Sequence, residues 1–240
     1  MITLFQFNPL WGLPNASAFC FKVENYLRMI DMPYDTEIIR DPRKAPKGKV
    51  PFIKDGDNII GDSELIIEYL KNQYGDPLDK NLNEHQKAMQ ILLENLFSEK
   101  LYWIMVYMRW QDEAGWRQCA PVFFRSLTRL WKLFLPKIVR KKMIKALYIQ
   151  GTGRHQRLEV IHMGIKVLDA IAAILDNNNF FLGKQISSID ATAFAFLANI
   201  VWLPYEDVLK THAFSHQNIV LFCDRMWDFL YPEMQKPFAL

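Results

Sequence analysis

Lys49-Val50-Pro51-Phe52-Ile53-Lys54-Asp55-Gly56-Asp57-Asn58-Ile59-Ile60-Gly61-Asp62-Ser63 decides how the first third of this chain folds. Phe52-Ile53 and Ile59-Ile60 are short β-prone runs. Asp55-Gly56 between them is a strong hairpin signal, because glycine accepts the positive φ of a tight turn. Pro51 stands at the start of the leading strand, where its missing N–H costs no ladder bond. Asp62-Ser63 are preferred capping residues and open a helix that Gly75 and Pro77 stop after Tyr74. Upstream, residues 2–7 read as a strand, Pro9, Gly12 and Pro14 break the chain into a loop, and residues 17–31 read as a helix with apolar side chains at 19, 23, 27 and 30. Residues 34–39 form a second strand, followed by a loop over 40–49. Strand, helix, strand, hairpin and helix in that order make an α/β unit with a partly parallel sheet.

From residue 83 the periodicity becomes helical, with no convincing strand. Residues 83–112 and 120–150 read as long helices, the second split near Pro136 because proline in a helix interior costs about 3 kcal/mol. Over 157–176, Leu158, Ile161, Ile165, Leu168, Ala172 and Leu175 fall on one stripe. Ser187 and Asp190 have capping-box spacing before an almost wholly apolar helix over 191–201, which belongs in the middle of a bundle. The chain divides into a sheet-containing domain, residues 1–78, and an all-helical domain, residues 79–240.

With 240 residues, half of them apolar and 23% charged, the chain has the profile of a folded globular protein. Cys20, Cys119 and Cys223 are odd in number and far apart, which excludes a disulfide framework and points to a reducing compartment. The net charge of +3 is unevenly spread: residues 1–80 hold 10 Lys/Arg against 12 Asp/Glu, whereas residues 114–158 hold eleven Lys/Arg and no acid. Arg125, Arg129 and Lys132 lie opposite Phe123, Leu127, Leu130 and Phe134, and Arg140, Lys141, Lys142 and Lys145 form a second cluster. The basic stretch over 117–157 is read as the solvated side of core-packed helices, ahead of a surface drawn to anionic lipid, so weak or no vesicle binding is expected. It contains no nucleic-acid motif. No run reaches the roughly 18 apolar residues of a membrane span, and residues 1–18 lack the basic start of a signal peptide. His212 and His216 have metal-ligand spacing. No carboxylate stands near them in the sequence, however, and Ala213-Phe214-Ser215 reads as a turn, so no metal site is expected. The chain has no P-loop, G-x-G-x-x-G or G-x-S-x-G, which leaves nucleotide binding and serine hydrolysis without support.

The order of elements resembles the glutathione S-transferase superfamily over nearly the whole chain, together with Lys49-Val50-Pro51, Asp62-Ser63, and Gly183 followed by Ser187-Ser188-Ile189-Asp190. Ser17-Ala18-Phe19-Cys20 with Asn25-Tyr26-Leu27-Arg28, and Gly151-Thr152-Gly153-Arg154-His155, look closest to its metaxin and failed-axon-connections branch. The resemblance implies a thioredoxin-like α/β N-terminal domain followed by an all-α helical-bundle domain.

It also implies a site for glutathione as co-substrate. Pro51 would be a cis-proline that turns the main-chain N–H and C=O of Val50 towards the tripeptide. Asp62-Ser63 would receive the γ-glutamyl carboxylate at a helix N-terminus, and an inward Glu64 would weaken that anion site. Lys49, with Lys47 and Arg43, would offer charge to the glycine carboxylate, and Trp11 lies in the loop that covers the thiol. Ser17, at the start of the first helix, would stabilise the thiolate, whereas Cys20 reads as a buried small hydrophobe. The implied activity is transfer of glutathione to a small hydrophobic electrophile by a cytoplasmic homodimer, without a metal and without nucleic acid. The alternative is a non-catalytic, metaxin-like interaction or membrane-surface protein that keeps the fold.

Overall fold

The computed structural model describes residues 1–237 except Arg40 and Ser126. Those two positions, in the loop expected over 40–49 and the helix expected over 120–150, lie outside the described residues. Strands β1 (Ile2–Gln6), β2 (Tyr34–Ile38), β3 (Phe52–Asp55) and β4 (Asn58–Gly61) form one sheet in the order β2-β1-β3-β4. β1 and β2 run parallel, with Ile2 opposite Tyr34, because helix α1 (Ala18–Met29) supplies the crossover between them. β3 returns antiparallel to β1, and β4 pairs with β3 through a two-residue turn in which Gly56 takes φ +58°. Along β1, Ile2 and Leu4 alternate inward and join the core formed with α1 and α2 (Ser63–Tyr74).

This register decides where a site can lie. Phe52 pairs with both Phe5 and Gly61, so Phe7, Pro51 and Asp62 all leave the sheet at the same end. α1 begins at that end too, since Cys20 in its first turn packs with Val50, Phe52, Ala45, Phe5 and Phe7.

In the helical half, α3 (Glu84–Asn95) continues through a π-helical turn at Leu96–Leu101, α4 (Tyr102–Val106) and a second π turn at Tyr107–Gln111. Such wide turns recur at functional sites, and the second one carries Arg109. Asp112 then turns the chain and caps α5 (Glu113–Phe123), accepting from the Gly115 N–H at 3.2 Å. Only glycine fits there, because a Cβ would stand 1.8 Å from the Met108 carbonyl oxygen.

The break expected at Pro136 lies elsewhere. α6 (Arg129–Gln150) passes through Pro136, and the chain breaks ahead of α6, where Thr128 takes the extended backbone of an N-cap. Pro136 removes a single hydrogen bond, whereas an extended residue ends the helical series altogether. The packing of α6 also differs from expectation: Leu130, Trp131, Leu133, Phe134 and Ile138 are 51–74% exposed, so its first half is not laid on the core. Periodicity reveals that a helix has an apolar face but not what covers it.

Helices α7 (Arg157–Leu175), α8 (Ser188–Val201), α9 (Val208–Ser215) and α10 (Gln217–Leu230) complete the bundle. α9 runs through the Ala213-Phe214-Ser215 segment expected to be a turn. α8 is buried along its whole length and its start is fixed by Asp190, which accepts from the Ser187 N–H at 2.8 Å, the Ser187 hydroxyl at 2.9 Å and the Phe181 N–H at 2.9 Å. α1 lies against α8: Asn25 donates to the Ala191 carbonyl at 3.1 Å and accepts from the Tyr231 hydroxyl at 2.8 Å. One apolar core therefore spans sheet and bundle. Among the described residues, no helix is long and apolar enough to cross a membrane.

Candidate functional site

Ser17 is the N-cap of α1. Its N–H donates to Asn15 Oδ1 at 2.9 Å, and its Oγ accepts from the Cys20 N–H at 3.5 Å. With the oxygen accepting from the helix end, the hydroxyl still carries a hydrogen that it can donate. No acidic side chain stands in the first turn of α1, so the positive helix end keeps its field. Buried Asn15 anchors this start by donating to the Phe7 carbonyl at 2.7 Å and to Gln6 Oε1 at 3.3 Å. Cys20 is fully buried, and burial pushes its thiol up to about 12 against the opposing pull of Ser17, so it stays protonated and unreactive.

A cation stands beside Ser17 that the sequence reading missed. Arg109, 9% exposed, donates to the Ala16 carbonyl at 3.0 Å, to the Asn199 carbonyl at 2.9 Å and to Asn199 Oδ1 at 3.1 Å. All three acceptors are amide oxygens, and Arg109 forms no ion pair among the described residues. Asn199 in turn donates to the Asn15 carbonyl at 3.2 Å, closing a network from α8 to Asn15 and Ala16. A signal was present in the sequence: Arg109 is the only charge in the run Leu101-Tyr-Trp-Ile-Met-Val-Tyr-Met-Arg-Trp110. Trp11, at φ +61°, places its ring 4.9 Å from the Arg109 guanidinium and packs on Phe123 at 5.3 Å and Tyr205 at 6.2 Å. The Tyr205 hydroxyl lies 3.1 Å from Cys119 Sγ, and burial raises both groups. Trp11 thus belongs to an aromatic wall shared with the helical half.

At the sheet end, the Val50-Pro51 peptide bond is cis, and both residues are buried. Asp62 takes φ +92°, a strained backbone for a residue with a side chain and one that clusters at ligand-binding positions. Its Oδ1 accepts from the Glu64 N–H at 3.0 Å and the Leu65 N–H at 3.5 Å, which leaves Oδ2 unused. Ser63 is buried, its hydroxyl forms no hydrogen bond among the described residues, and its N–H is the first of α2 and so has no intrahelical partner. Glu64 is exposed. Of the basic candidates, Arg43 is bound to Asp41 by contacts of 2.7–3.1 Å. Lys47 packs its stem at Gly61, with Cγ 3.7 Å from where a Cβ would stand. Lys49 is exposed and forms no ion pair among the described residues.

Ser17, Val50, Pro51, Asp62 and Ser63 are therefore gathered at one end of the sheet, with Trp11 on the facing wall and Lys49 at the rim. Two hollows of about 210 and 200 Å³ reach the aromatic wall but not the sheet edge, one lined by Asp112, Arg157, Tyr205 and Asp207, the other by Pro9, Trp11, Arg125 and Met234. Only the second touches a predicted residue. An extended peptide binds by pairing with exposed main chain at a sheet edge, so the sheet edge where Val50, Pro51, Asp62 and Ser63 meet, and not these hollows, is the candidate site.

A family profile described as the glutathione S-transferase N-terminal domain matches residues 18–115, and one described as the C-terminal domain matches residues 164–226. The isoprene-epoxide–glutathione S-transferase of Rhodococcus sp. (strain AD45) is 34% identical over 233 residues, covering 94% of this chain and 98% of that protein. Failed axon connections of Drosophila melanogaster is 27% identical over 97% of this chain and metaxin-1 of Homo sapiens 24% over 95%, but the matches span only 59% and 51% of those longer proteins. Both are more distant than the Rhodococcus transferase, and both match nearly the whole of this chain. Among solved structures, a glutathione transferase from Bombyx mori superposes with a TM-score of 0.62 at 19% identity, covering 96% of this chain and 89% of that one. Glutathione transferase E6 from Drosophila melanogaster gives 0.61 at 16%, covering 97% and 92%. At these identities the likeness is one of fold. A thioredoxin-like sheet joined to an all-helical bundle, matched by both domain profiles and by a relative along almost its full length, makes this chain a member of the glutathione S-transferase superfamily.

Proposed function

We propose that the protein is a glutathione transferase that joins glutathione to a small hydrophobic electrophile, with epoxides as the first class to test. The observation that carries the reading is the environment of Ser17: a hydroxyl at a helix start without an acid, one residue from a carbonyl held by the buried cation Arg109. Each of these favours a thiolate over a thiol. Glutathione lies along Val50 and Pro51, its γ-glutamyl carboxylate on the N–H and hydroxyl of Ser63 and its ammonium on the unused Oδ2 of Asp62. Lys49 and Lys47 face the glycine carboxylate. The electrophile rests on the aromatic wall of Trp11, Phe123 and Tyr205. With an epoxide, the sulfur–carbon bond forms as one carbon–oxygen bond breaks, and the resulting alkoxide takes up one proton. The name of the Rhodococcus relative supports this choice of substrate.

The three buried free thiols support a reducing compartment such as the cytoplasm, and exposed Ile91 and Leu92 on α3 support a homodimer. Glutathione should raise the melting temperature, because a ligand bound only to the folded state stabilises it by about 2.7 kcal/mol at a hundredfold excess over Kd. The chain should also be retained on immobilised glutathione, and Ser63→Ala should diminish both effects. No shift at millimolar glutathione would contradict the reading.

A second reading concerns where such an enzyme works. The exposed apolar side chains of α6 alternate with exposed Arg129, Lys132, Lys137, Lys141 and Lys142, which is the composition of a helix that lies on an anionic membrane surface. Arg140 is not part of this face, since it donates to the Trp110 carbonyl at 2.9 Å and pairs with Glu113 at 2.8 Å.

A further inference from the structure

Away from the candidate site residues, the packing of α7 against α9 brings Asp169 to two histidines that lie 43 and 47 residues further along the chain. His212 Nε2 lies 2.7 Å, and His216 Nε2 2.9 Å, from the same carboxylate oxygen, Oδ1 of Asp169. The expectation that no carboxylate stands near these histidines fails because α7 supplies one across the α7–α9 contact. All three potential ligand atoms lie within 4.8 Å of one another, and the imidazole rings are nearly perpendicular with centroids 5.1 Å apart. The side chains are 25%, 26% and 50% exposed for His212, His216 and Asp169, so the group is held by the fold yet open to solvent.

We propose that Asp169, His212 and His216 form a binding site for a divalent transition-metal ion of the zinc class. Two imidazole nitrogens and one carboxylate oxygen are the donors that Zn²⁺ takes at about 2.0–2.2 Å, and three such donors around a tetrahedral ion sit about 3.3 Å apart. The two present nitrogen–oxygen separations, 2.7 and 2.9 Å, are hydrogen-bond lengths, so the carboxylate must draw back by about half an ångström to admit an ion. A two-imidazole set selects Zn²⁺, Co²⁺ or Ni²⁺ over Mg²⁺ and Ca²⁺, which prefer oxygen donors. Each imidazole binds through Nε2 as the tautomer that carries its proton on Nδ1. The fourth position is left to water.

The frame around the group is fixed. His212 sits in α9 with its carbonyl accepting from the Ser215 hydroxyl at 2.7 Å, and His216 closes α9 with its N–H on the Ala213 carbonyl at 3.1 Å. Asn218 donates to the Ala172 carbonyl at 2.8 Å and so holds the start of α10 to α7. A metal here joins α7 to the α9–α10 junction, and its effect is structural, because none of the three residues is among the candidate site residues at the sheet edge.

The test uses the full, tag-free chain stripped of metal by chelation. Titration with Zn²⁺ followed by calorimetry should give one site per chain, and saturating Zn²⁺ should raise the melting temperature. His216→Gln should weaken Zn²⁺ at least tenfold, while His85→Gln, at an exposed histidine on α3, should leave it unchanged. Co²⁺ in the wild-type chain should show X-ray absorption fine structure with two imidazole nitrogens, a measurement that needs no variant to fold. Absence of stoichiometric binding, equal Zn²⁺ affinity in His216→Gln, or a Co²⁺ spectrum without imidazole would overturn the proposal and leave a hydrogen-bonded His–Asp–His surface cluster.

Discussion

On the proposed reading, Ser17 and Arg109 would act on the same sulfur in different ways: the hydroxyl by a directed hydrogen bond, the guanidinium by its charge. Arg109→Met removes the charge and should move the lower limb of the pH–rate profile upward by about one unit, the shift that loss of about 1.4 kcal/mol of thiolate stabilisation produces. Arg109→Lys keeps the charge and should restore part of that shift; an unchanged profile in both variants would exclude Arg109 from the site. Asp190 gives a second prediction at this scale. Burial raises its carboxyl from 3.8 to about 6 in the folded chain, despite three hydrogen bonds that favour the ionised form. The folded state thus holds the proton more tightly than the unfolded state. Its contribution to stability is fully present below about pH 4 and is lost as pH rises through about 6, amounting to about 3 kcal/mol at most. Asp190→Asn breaks the capping box at every pH, but it should also flatten the fall in stability between pH 4 and 6, measured by urea unfolding. A slope equal to the wild type would contradict the shift. Ser187 and Asp190 were legible in the sequence because the signal is local, three residues long. Arg109 was not, because its acceptors lie 93 and 90 residues away.

Element boundaries followed local chemistry where a cap was strong. Asp62, Gly56 and Ser187 each supply a backbone conformation or hydrogen bond that their neighbours cannot override, and the sheet and α8 begin and end near the positions their spacing suggested. α6 shows the limit of that approach. Its apolar and basic stripes are visible in sequence, yet whether the apolar stripe meets a core or solvent depends on elements distant along the chain, and here it meets solvent. Exposure reverses the expectation for lipid. At low salt the chain should sediment with phosphatidylserine vesicles, each surface lysine or arginine adding about 1 kcal/mol of attraction, and release should follow as the Debye length shortens to about 8 Å at physiological ionic strength. Lys141→Glu with Lys142→Glu should abolish sedimentation, and Trp131→Ser should weaken it without changing its dependence on salt. No sedimentation of the wild-type chain would remove the membrane reading and leave the enzymatic one untouched.

At the scale of the molecule, the site exists because β1, β3, β4 and α1 all end or begin at one edge of the sheet, while α8 carries the helical half against α1. The order of strands and helices was readable, and with it the residues of the sheet edge. The facing wall was not, since Trp11, Phe123 and Tyr205 meet only through the packing of three separate segments. On the proposed reading the two halves divide the chemistry: the sheet would bind the tripeptide, and the bundle would present the electrophile to its sulfur. The most direct measurement is steady-state formation of the thioether from glutathione and a small epoxide, followed by mass spectrometry, for the wild-type chain and for Ser17→Ala. The wild type should exceed the uncatalysed rate, and Ser17→Ala should lower kcat by about tenfold to a hundredfold with KM for glutathione nearly unchanged, because a hydrogen bond to a charged group contributes about 1.5–3 kcal/mol in the transition state and the hydroxyl touches little else of the tripeptide. A wild-type rate no greater than the uncatalysed one, or equal turnover in the variant, would contradict the account.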